Sequence, residues 1–578
     1  LPGMAYLVRR LLENTSNEGF LKAKFSDKAS AQQLLRDPRT LVAASAADID
    51  RIDTEGRPER DRPTRSLARN GASAGDDTDL YIGSRDGNTR ETPPGDSYEN
   101  APLVNFVHRE TQEKMHAALR EVRLRLGRQY PCVINGQKVT TGKWMSSINP
   151  SNPTEVVGSI AEAGIPEAEQ AVKAAREAFE KWCRVSVNHR AELLERAATI
   201  MDRRRFELAA FQVFEVGKGW MEADGDIREA IDFLLFYAQQ MRILGRPKLT
   251  QHVLGEESYQ HYWGRGVSLV IAPWNFPVAI LCGMVSAGLV TGNAVIMKPA
   301  EQSPVCGALL MEIFEEAGIP PGVLNLLQGD GAVIGNHLVH HKDVDMIAFT
   351  GSREVGLKIW DAAGKTQPGQ RELKRVVCEM GGKNAVIVDS DADLDEATID
   401  TVYSAFGFQG QKCSACSRLI VLEEIYDRFV QRLVAATASL RVGNPETPGI
   451  SVGPVIDEEA YERIKKTIAE GMGKATLAFQ QTNVPATGYF IGPTIFTDVK
   501  AEDTLAQCEI FGPVLSVIKV RDLDEALRVA NSTEYALTAG FFSRSPANIE
   551  RIKAELVAGN VYINRSCTGA VVGRHPFG

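Results

Sequence analysis

Short apolar runs separated by helix-length stretches dominate the middle of the chain. Residues 267–273, 294–298, 323–327 and 346–350 predict buried strands, and the intervening residues near 278–290, 305–317 and 332–340 predict helices. Strand and helix in alternation predict an α/β fold with a parallel sheet and right-handed crossovers, which holds dinucleotides at the carboxyl ends of its strands. Upstream, Val172, Ala175, Phe179 and Trp182 share one face of a predicted helix, and Pro166 suits its first turn. The pattern changes toward the amino end. Residues 41–97 are rich in Asp, Arg, Gly, Ser and Thr with Tyr81 as the only aromatic, too little apolar surface to offset the entropy of ordering, so a flexible linker is expected. Before it, residues 6–14 place apolar side chains at helical spacing around the pair Arg9 and Arg10. No tandem repeat is visible.

Composition narrows the function classes. A chain of 578 residues allows roughly two to four domains, and 44% hydrophobic with 24% charged residues is ordinary for a soluble protein. A formal charge of −9 argues against nucleic-acid binding by this fragment, because affinity for phosphate backbones comes from clustered Lys and Arg. Nine scattered cysteines do not make a disulfide framework, which points to a reducing cytoplasm. The apolar run 278–290 falls short of the ~20 residues a membrane-crossing helix needs, so no transmembrane segment is expected. The chain opens at Leu1 without an initiator Met, which leaves targeting open.

The candidate chemistry begins with Glu379-Met380-Gly381-Gly382-Lys383-Asn384 and Gly410-Gln411-Lys412-Cys413-Ser414-Ala415. Aldehyde oxidation needs a thiol that attacks a carbonyl and a carboxylate that activates water, and Cys413 with Glu379 supplies both. The flanking glycines predict backbone passing close to a ligand. Cys413 and Cys416 also form a C-x-x-C, but no second such pair or close His pair completes a metal site, so no metal is expected. Asn275, in Pro273-Trp274-Asn275-Phe276-Pro277, by itself reads as a turn between prolines, but beside the other motifs it fits an oxyanion donor better. The run 329–335 approximates a dinucleotide fingerprint with its third glycine one place late, which a plain strand-to-helix turn would also explain.

Together these motifs resemble the aldehyde dehydrogenase superfamily. The resemblance implies a Rossmann-like NAD-binding domain over residues 98–378, with a projecting oligomerisation hairpin near 247–264, and an α/β catalytic domain over 379–578. It implies Cys413 as nucleophile, Glu379 as base and Asn275 as oxyanion donor. For the cofactor NAD it implies Trp274, Lys298, Glu301, Gly331, Gly335, Phe349, Gly351, Ser352, Glu509 and Phe511. Free backbone N–H groups at helix starts are the expected phosphate donors among these, and a carboxylate at Glu301 would repel the extra phosphate of NADP.

At closer range, residues 410–418 and 568–577 resemble the 1-pyrroline-5-carboxylate dehydrogenase family, whose activity is oxidation of L-glutamate γ-semialdehyde in proline catabolism. That likeness implies Ser414, Gly569 and Ala570 at the substrate carboxylate, with Phe276 and Phe577 along its aliphatic part. Residues 6–14 resemble the end of the proline dehydrogenase barrel of bifunctional proline utilization A. Residues 1–40 are therefore expected to be a remnant of an FAD-binding domain of the intact protein. Pro576-Phe577-Gly578 falls inside the substrate-loop motif, so the catalytic domain is expected to be truncated, with homo-oligomers expected at full length. Other carboxylated aldehydes, such as succinate semialdehyde, and a noncatalytic scaffold remain alternatives.

Overall fold

The computed structural model describes residues 98–575. Arg9 and Arg10, residues 41–97 and Phe577 lie outside the described residues.

Two seven-stranded sheets organise the described chain. At the heart of the first are the parallel strands Val267–Ile271, Ala294–Lys298, Leu324–Leu326, Met346–Thr350 and Arg375–Glu379, close to the runs expected from periodicity. Val267–Ile271 lies between Ala294–Lys298 and Met346–Thr350, so the chain steps outward on one side and then returns to the other. Crevices at such reversals, outside the carboxyl ends of the strands, are where open α/β sheets bind ligands. Ala294–Lys298 is buried at every position because helices cover both faces of the sheet. Those helices include Ile165–Trp182, which buries Val172, Ala175 and Trp182 and carries Pro166 in its first turn.

The second sheet is built from later residues, with Asn384–Val388, Cys416–Leu422, Val514–Val520, Thr538–Phe542 and Asn560–Ile563 all parallel. The loop from Glu379 to Asn384 leaves the carboxyl edge of the first sheet and enters the second sheet at its amino edge. Glu379 and Cys413 therefore meet across the gap between the sheets.

A two-stranded hairpin, Lys248–Val253 and Glu256–Gln260, pairs only with itself. The helix expected over 332–340 is divided into a π-helical turn, Gly331–Gly335, and a short α-helix, Asn336–His340. No described helix is long and apolar enough to cross a membrane.

Candidate active site

Cys413 stands in the loop before strand Cys416–Leu422, and several elements fix it there. The Asn384 side-chain amide donates to the Cys413 carbonyl at 2.7 Å and to the Ala415 carbonyl at 2.9 Å, while its oxygen accepts the Thr538 N–H at 3.0 Å. Asn384 begins a strand and clamps the nucleophile loop, a role its motif position alone does not reveal. Phe408 and Gln409, just upstream, are non-glycine residues with left-handed φ of 48° and 57°, and Phe511 has 53°. Such backbone is sparsely populated and persists where surroundings dictate it. Here three of the six cases among the described residues adjoin one another, since the Trp274 ring meets those of Phe408 and Phe511 edge-on at 6.3 and 5.6 Å.

The glycines work differently from expectation. A Cβ on Gly382 would overlap the Cys413 carbonyl oxygen, one on Gly381 the Glu509 carboxylate, and one on Gly410 the Gly512 carbonyl. They let three protein loops touch one another, rather than opening backbone to a ligand. Glu509 then accepts the Gly382 N–H at 2.8 Å, which joins the loop after Glu379 to the segment containing Phe511.

Electrostatics at the sulfur are unfavourable to a thiolate. Burial first, then the carboxylates of Glu509 and Glu379, push the Cys413 thiol up to about 12, while the Ser414 N–H acts the other way. Burial likewise raises Glu379 above the usual carboxylate range, as suits a group that takes a proton. Asn275 donates one amide hydrogen to the Gln411 carbonyl at 3.0 Å, and its NH2 keeps a second hydrogen for a substrate oxygen.

The expected cofactor residues converge in part. Lys298 Nζ donates to Glu301 Oε1 at 2.8 Å, and the same oxygen accepts the Gly331 N–H at 2.7 Å. Although burial opposes charge, Lys298 and the Gly331 N–H hold Glu301 below the usual carboxylate range, so it is ionised. Gly335 lies beside the Lys298 stem. Two N–H groups expected to be free for phosphate are in use, however: that of Gly331 on Glu301, and that of Gly351 on the Glu379 carbonyl at 3.0 Å. Ser352 caps the helix Arg353–Ala363 through the Val355 N–H, and the Phe349 side chain is buried in the core. These positions, which the resemblance implied for the cofactor, thus also have partners within the protein.

On the substrate side, Ser414 Oγ and Thr568 Oγ1 are 2.7 Å apart, which brings the loop carrying Gly569 and Ala570 to the residue after the nucleophile. Gly569 has φ of 75° with open space where a Cβ would stand, so its conformation rather than crowding explains the glycine. Phe276 covers the buried Lys218, whose Nζ lies 4.2 Å from the ring centroid. Lys218 pairs at 3.5 Å with Asp226, and Asp226 also accepts the Val278 and Ala279 N–H groups at the start of helix Ala279–Val290.

Helix Trp220–Leu244 carries Asp226 and further acids that sequence reading missed. Glu222 holds Lys412, next to the nucleophile, at 2.8 Å. Glu229 is pushed up to about 8 by burial and then by Asp226, and its charge reaches Cys413. Five acids at 222, 224, 226, 229 and 232 on one helix were the available signal, because so many on mostly buried turns require partners.

Among the described residues one trio, Glu169, His337 and His341, brings possible metal-ligand atoms within 4.8 Å of one another. His341 Nδ1 accepts the Asp343 N–H at 3.1 Å, so its proton sits on Nε2, facing Glu169 at 3.4 Å. Hydrogen bonding accounts for the trio.

Comparison with known proteins shows the family and the fold. A sequence model described as "Aldehyde dehydrogenase family" matches residues 137–578. The chain is similar to 1-pyrroline-5-carboxylate dehydrogenase of Bacillus subtilis (strain 168), at 46% identity over 83% of this chain and 94% of that protein. A 1-pyrroline-5-carboxylate dehydrogenase from Thermus, solved with bound NAD, superposes with a TM-score of 0.82 at 46% identity, over 83% of this chain and 93% of the other. Proline utilization A from Bdellovibrio bacteriovorus, inactivated by N-propargylglycine, superposes with a TM-score of 0.83 at 49% identity and covers 100% of this chain. This chain spans 56% of the length of that protein.

Proposed function

The chain belongs to the aldehyde dehydrogenase family, and from that premise we propose that it oxidises L-glutamate γ-semialdehyde, the open form of 1-pyrroline-5-carboxylate, to L-glutamate with NAD. The observation that carries the choice of substrate is the 2.7 Å contact between Ser414 and Thr568. It brings the Thr568 hydroxyl, next to Gly569 and Ala570 in sequence, to Ser414, the residue after Cys413, and hydroxyls with backbone N–H groups suit a carboxylate. The similarity to proteins named 1-pyrroline-5-carboxylate dehydrogenase supports the same choice.

Cys413 Sγ adds to the aldehyde carbon, its proton leaving to base, while Asn275 donates its remaining amide hydrogen to the oxyanion. NAD, when bound, takes the hydride from that carbon, which leaves a thioester on Cys413. Glu379 then takes a proton from water as the water adds to the thioester, and glutamate departs as the sulfur is released. Lys298, Glu301 and Gly331 form a polar cluster that fits the ribose hydroxyls of the adenosine half. An ionised Glu301 there disfavours a 2′-phosphate and so selects NAD over NADP.

The wider reading follows the similarity to proline utilization A: a chain joined to an FAD-binding proline dehydrogenase domain, working in the cytoplasm and assembling into homo-oligomers through the Lys248–Gln260 hairpin. The nine free cysteines support a reducing compartment.

Rapid mixing of enzyme, γ-semialdehyde and NAD tests the chemical assignment. Glu379→Ala is expected to release a burst of NADH and then stall, whereas Cys413→Ala gives no burst. Steady turnover at the normal rate by either variant would refute its assigned role.

A further inference from the structure

Asp232, on the buried side of helix Trp220–Leu244, gathers the start of the described chain. Its Oδ1 accepts the Tyr98 hydroxyl at 2.9 Å and the Ala101 N–H at 2.7 Å, and its Oδ2 accepts Asn100 Nδ2 at 3.0 Å. Asn100 Nδ2 also donates to the Val572 carbonyl at 2.8 Å, which fixes the orientation of the amide because both neighbours are acceptors. The Tyr98 ring meets Phe236 of the same helix edge-on at 5.4 Å. Gly573, with φ of 78°, packs so closely that an added Cβ would stand 3.3 Å from Tyr98 and 3.4 Å from Phe236. Farther along, the Val104 N–H donates at 2.8 Å to Asp224, a carboxylate that Arg205 also holds at 2.9 Å. Residues 98–104 are thus pinned at two acids of one helix, and between those pins they hold the loop that follows Gly569 and Ala570.

We infer that this segment is a strap that positions the substrate-carboxylate loop, with Asn100 and Asp232 as positioning residues that set preference for carboxylated aldehydes. The inference rests on the functional reading above. Its physical basis is where the loop's other ties lie: the firm one, Thr568 Oγ1 to Ser414 Oγ at 2.7 Å, comes before Gly569 and Ala570, and those beyond it are weak. Arg565 reaches the Thr568 and Gly569 carbonyls only at 3.4 and 3.5 Å, and the turn at 571–575 is closed internally through the His575 ring and backbone. Without the strap the Gly569–Ala570 backbone would be held at its Thr568 end alone, and ordering the rest would fall to the substrate, a cost that appears in binding of the carboxylate and not in the chemical step.

The test compares γ-semialdehyde with butanal, which lacks the carboxylate, on the full chain. The wild type is expected to favour γ-semialdehyde; no preference there would overturn the functional reading and the strap with it. With that preference present, Asn100→Ala is expected to raise KM for γ-semialdehyde, and the inhibition constant of the product L-glutamate, about three- to tenfold, the size of one lost hydrogen bond. Its kcat, its KM for NAD and its constants for butanal are expected to stay within about twofold, the precision with which such small effects are separated. Gly573→Ala, which presses on Tyr98 and Phe236 and strains the loop at a φ of 78°, is expected to show the same signature. Unchanged KM for γ-semialdehyde, or an equal loss with both aldehydes, would overturn the strap while leaving the functional reading intact. Should Asn100→Ala fail to fold, Asn100→Ser, which keeps one donor, carries the same comparison.

Discussion

Burial and two nearby carboxylates push the Cys413 thiol up to about 12, so it is expected to keep its proton at neutral pH. Iodoacetamide labelling of Cys413, followed by mass spectrometry, is therefore expected to rise about tenfold per pH unit from 7 to 10, where an ordinary thiol levels off near a pKa of about 8.5. Glu379→Gln removes a negative charge, so at pH 9 it is expected to speed labelling severalfold even as turnover falls by about 100-fold or more. A plateau near pH 8.5, or labelling unaffected by Glu379→Gln, would contradict this account. Cys413, Glu379 and Asn275 were singled out from linear motifs, because the nucleophile, base and oxyanion donor proposed for them are chemical requirements of aldehyde oxidation. Their electrostatic state was not legible there, since Glu509 lies far along the chain and the burial comes from the fold. Lys383 is a related case: it sits within the glutamate motif, yet burial and then Arg418 hold its ammonium down to about 7.

At the scale of elements, loops and helix ends departed furthest from expectation. The strands near 267, 294, 324 and 346 appear where apolar runs placed them, because a sheet covered on both faces writes itself as continuous hydrophobic sequence. The predicted helix 332–340 instead starts as a π-helical turn, where Asp330 caps the Ala332 N–H and Glu301 takes that of Gly331. Two glycines separate the kinds of freedom involved. Gly382→Ala is expected to cost about 1–3 kcal/mol of stability and to cut the NADH burst, because its Cβ would collide with the Cys413 backbone. Gly225, inside helix Trp220–Leu244 with nothing within 4 Å of a Cβ, is the contrast. Gly225→Ala is expected to stabilise the protein by about 0.5–1 kcal/mol through helix propensity. Thermal melts of both variants check the pair, and equal effects would refute the distinction.

For the whole molecule, the active-site elements meet because one sheet presents its carboxyl edge and the other its amino edge to a common gap. Outside that body the Lys248–Gln260 hairpin exposes Leu249, Val253, Leu254 and Tyr259, and two strands without further packing are marginal in water. Replacing residues 248–260 by a short Gly-Ser link is expected to leave the melting temperature within about 4 °C, the shift of roughly 1 kcal/mol or less, while lowering the mass measured by light scattering. An unchanged mass would exclude the hairpin from assembly. Periodicity and residue type, which act locally, were enough to determine from sequence the α/β alternation and the likeness to aldehyde dehydrogenases, and to nominate the thiol and carboxylate for which chemistry is proposed. Tertiary structure alone decided which N–H groups have partners within the protein, why the glycines are glycines, how four of the five acids of one helix are paired, and which segment is proposed to hold the substrate loop. Each of those depends on groups such as Asn100 and Val572, whose distance along the chain hides a contact of 2.8 Å.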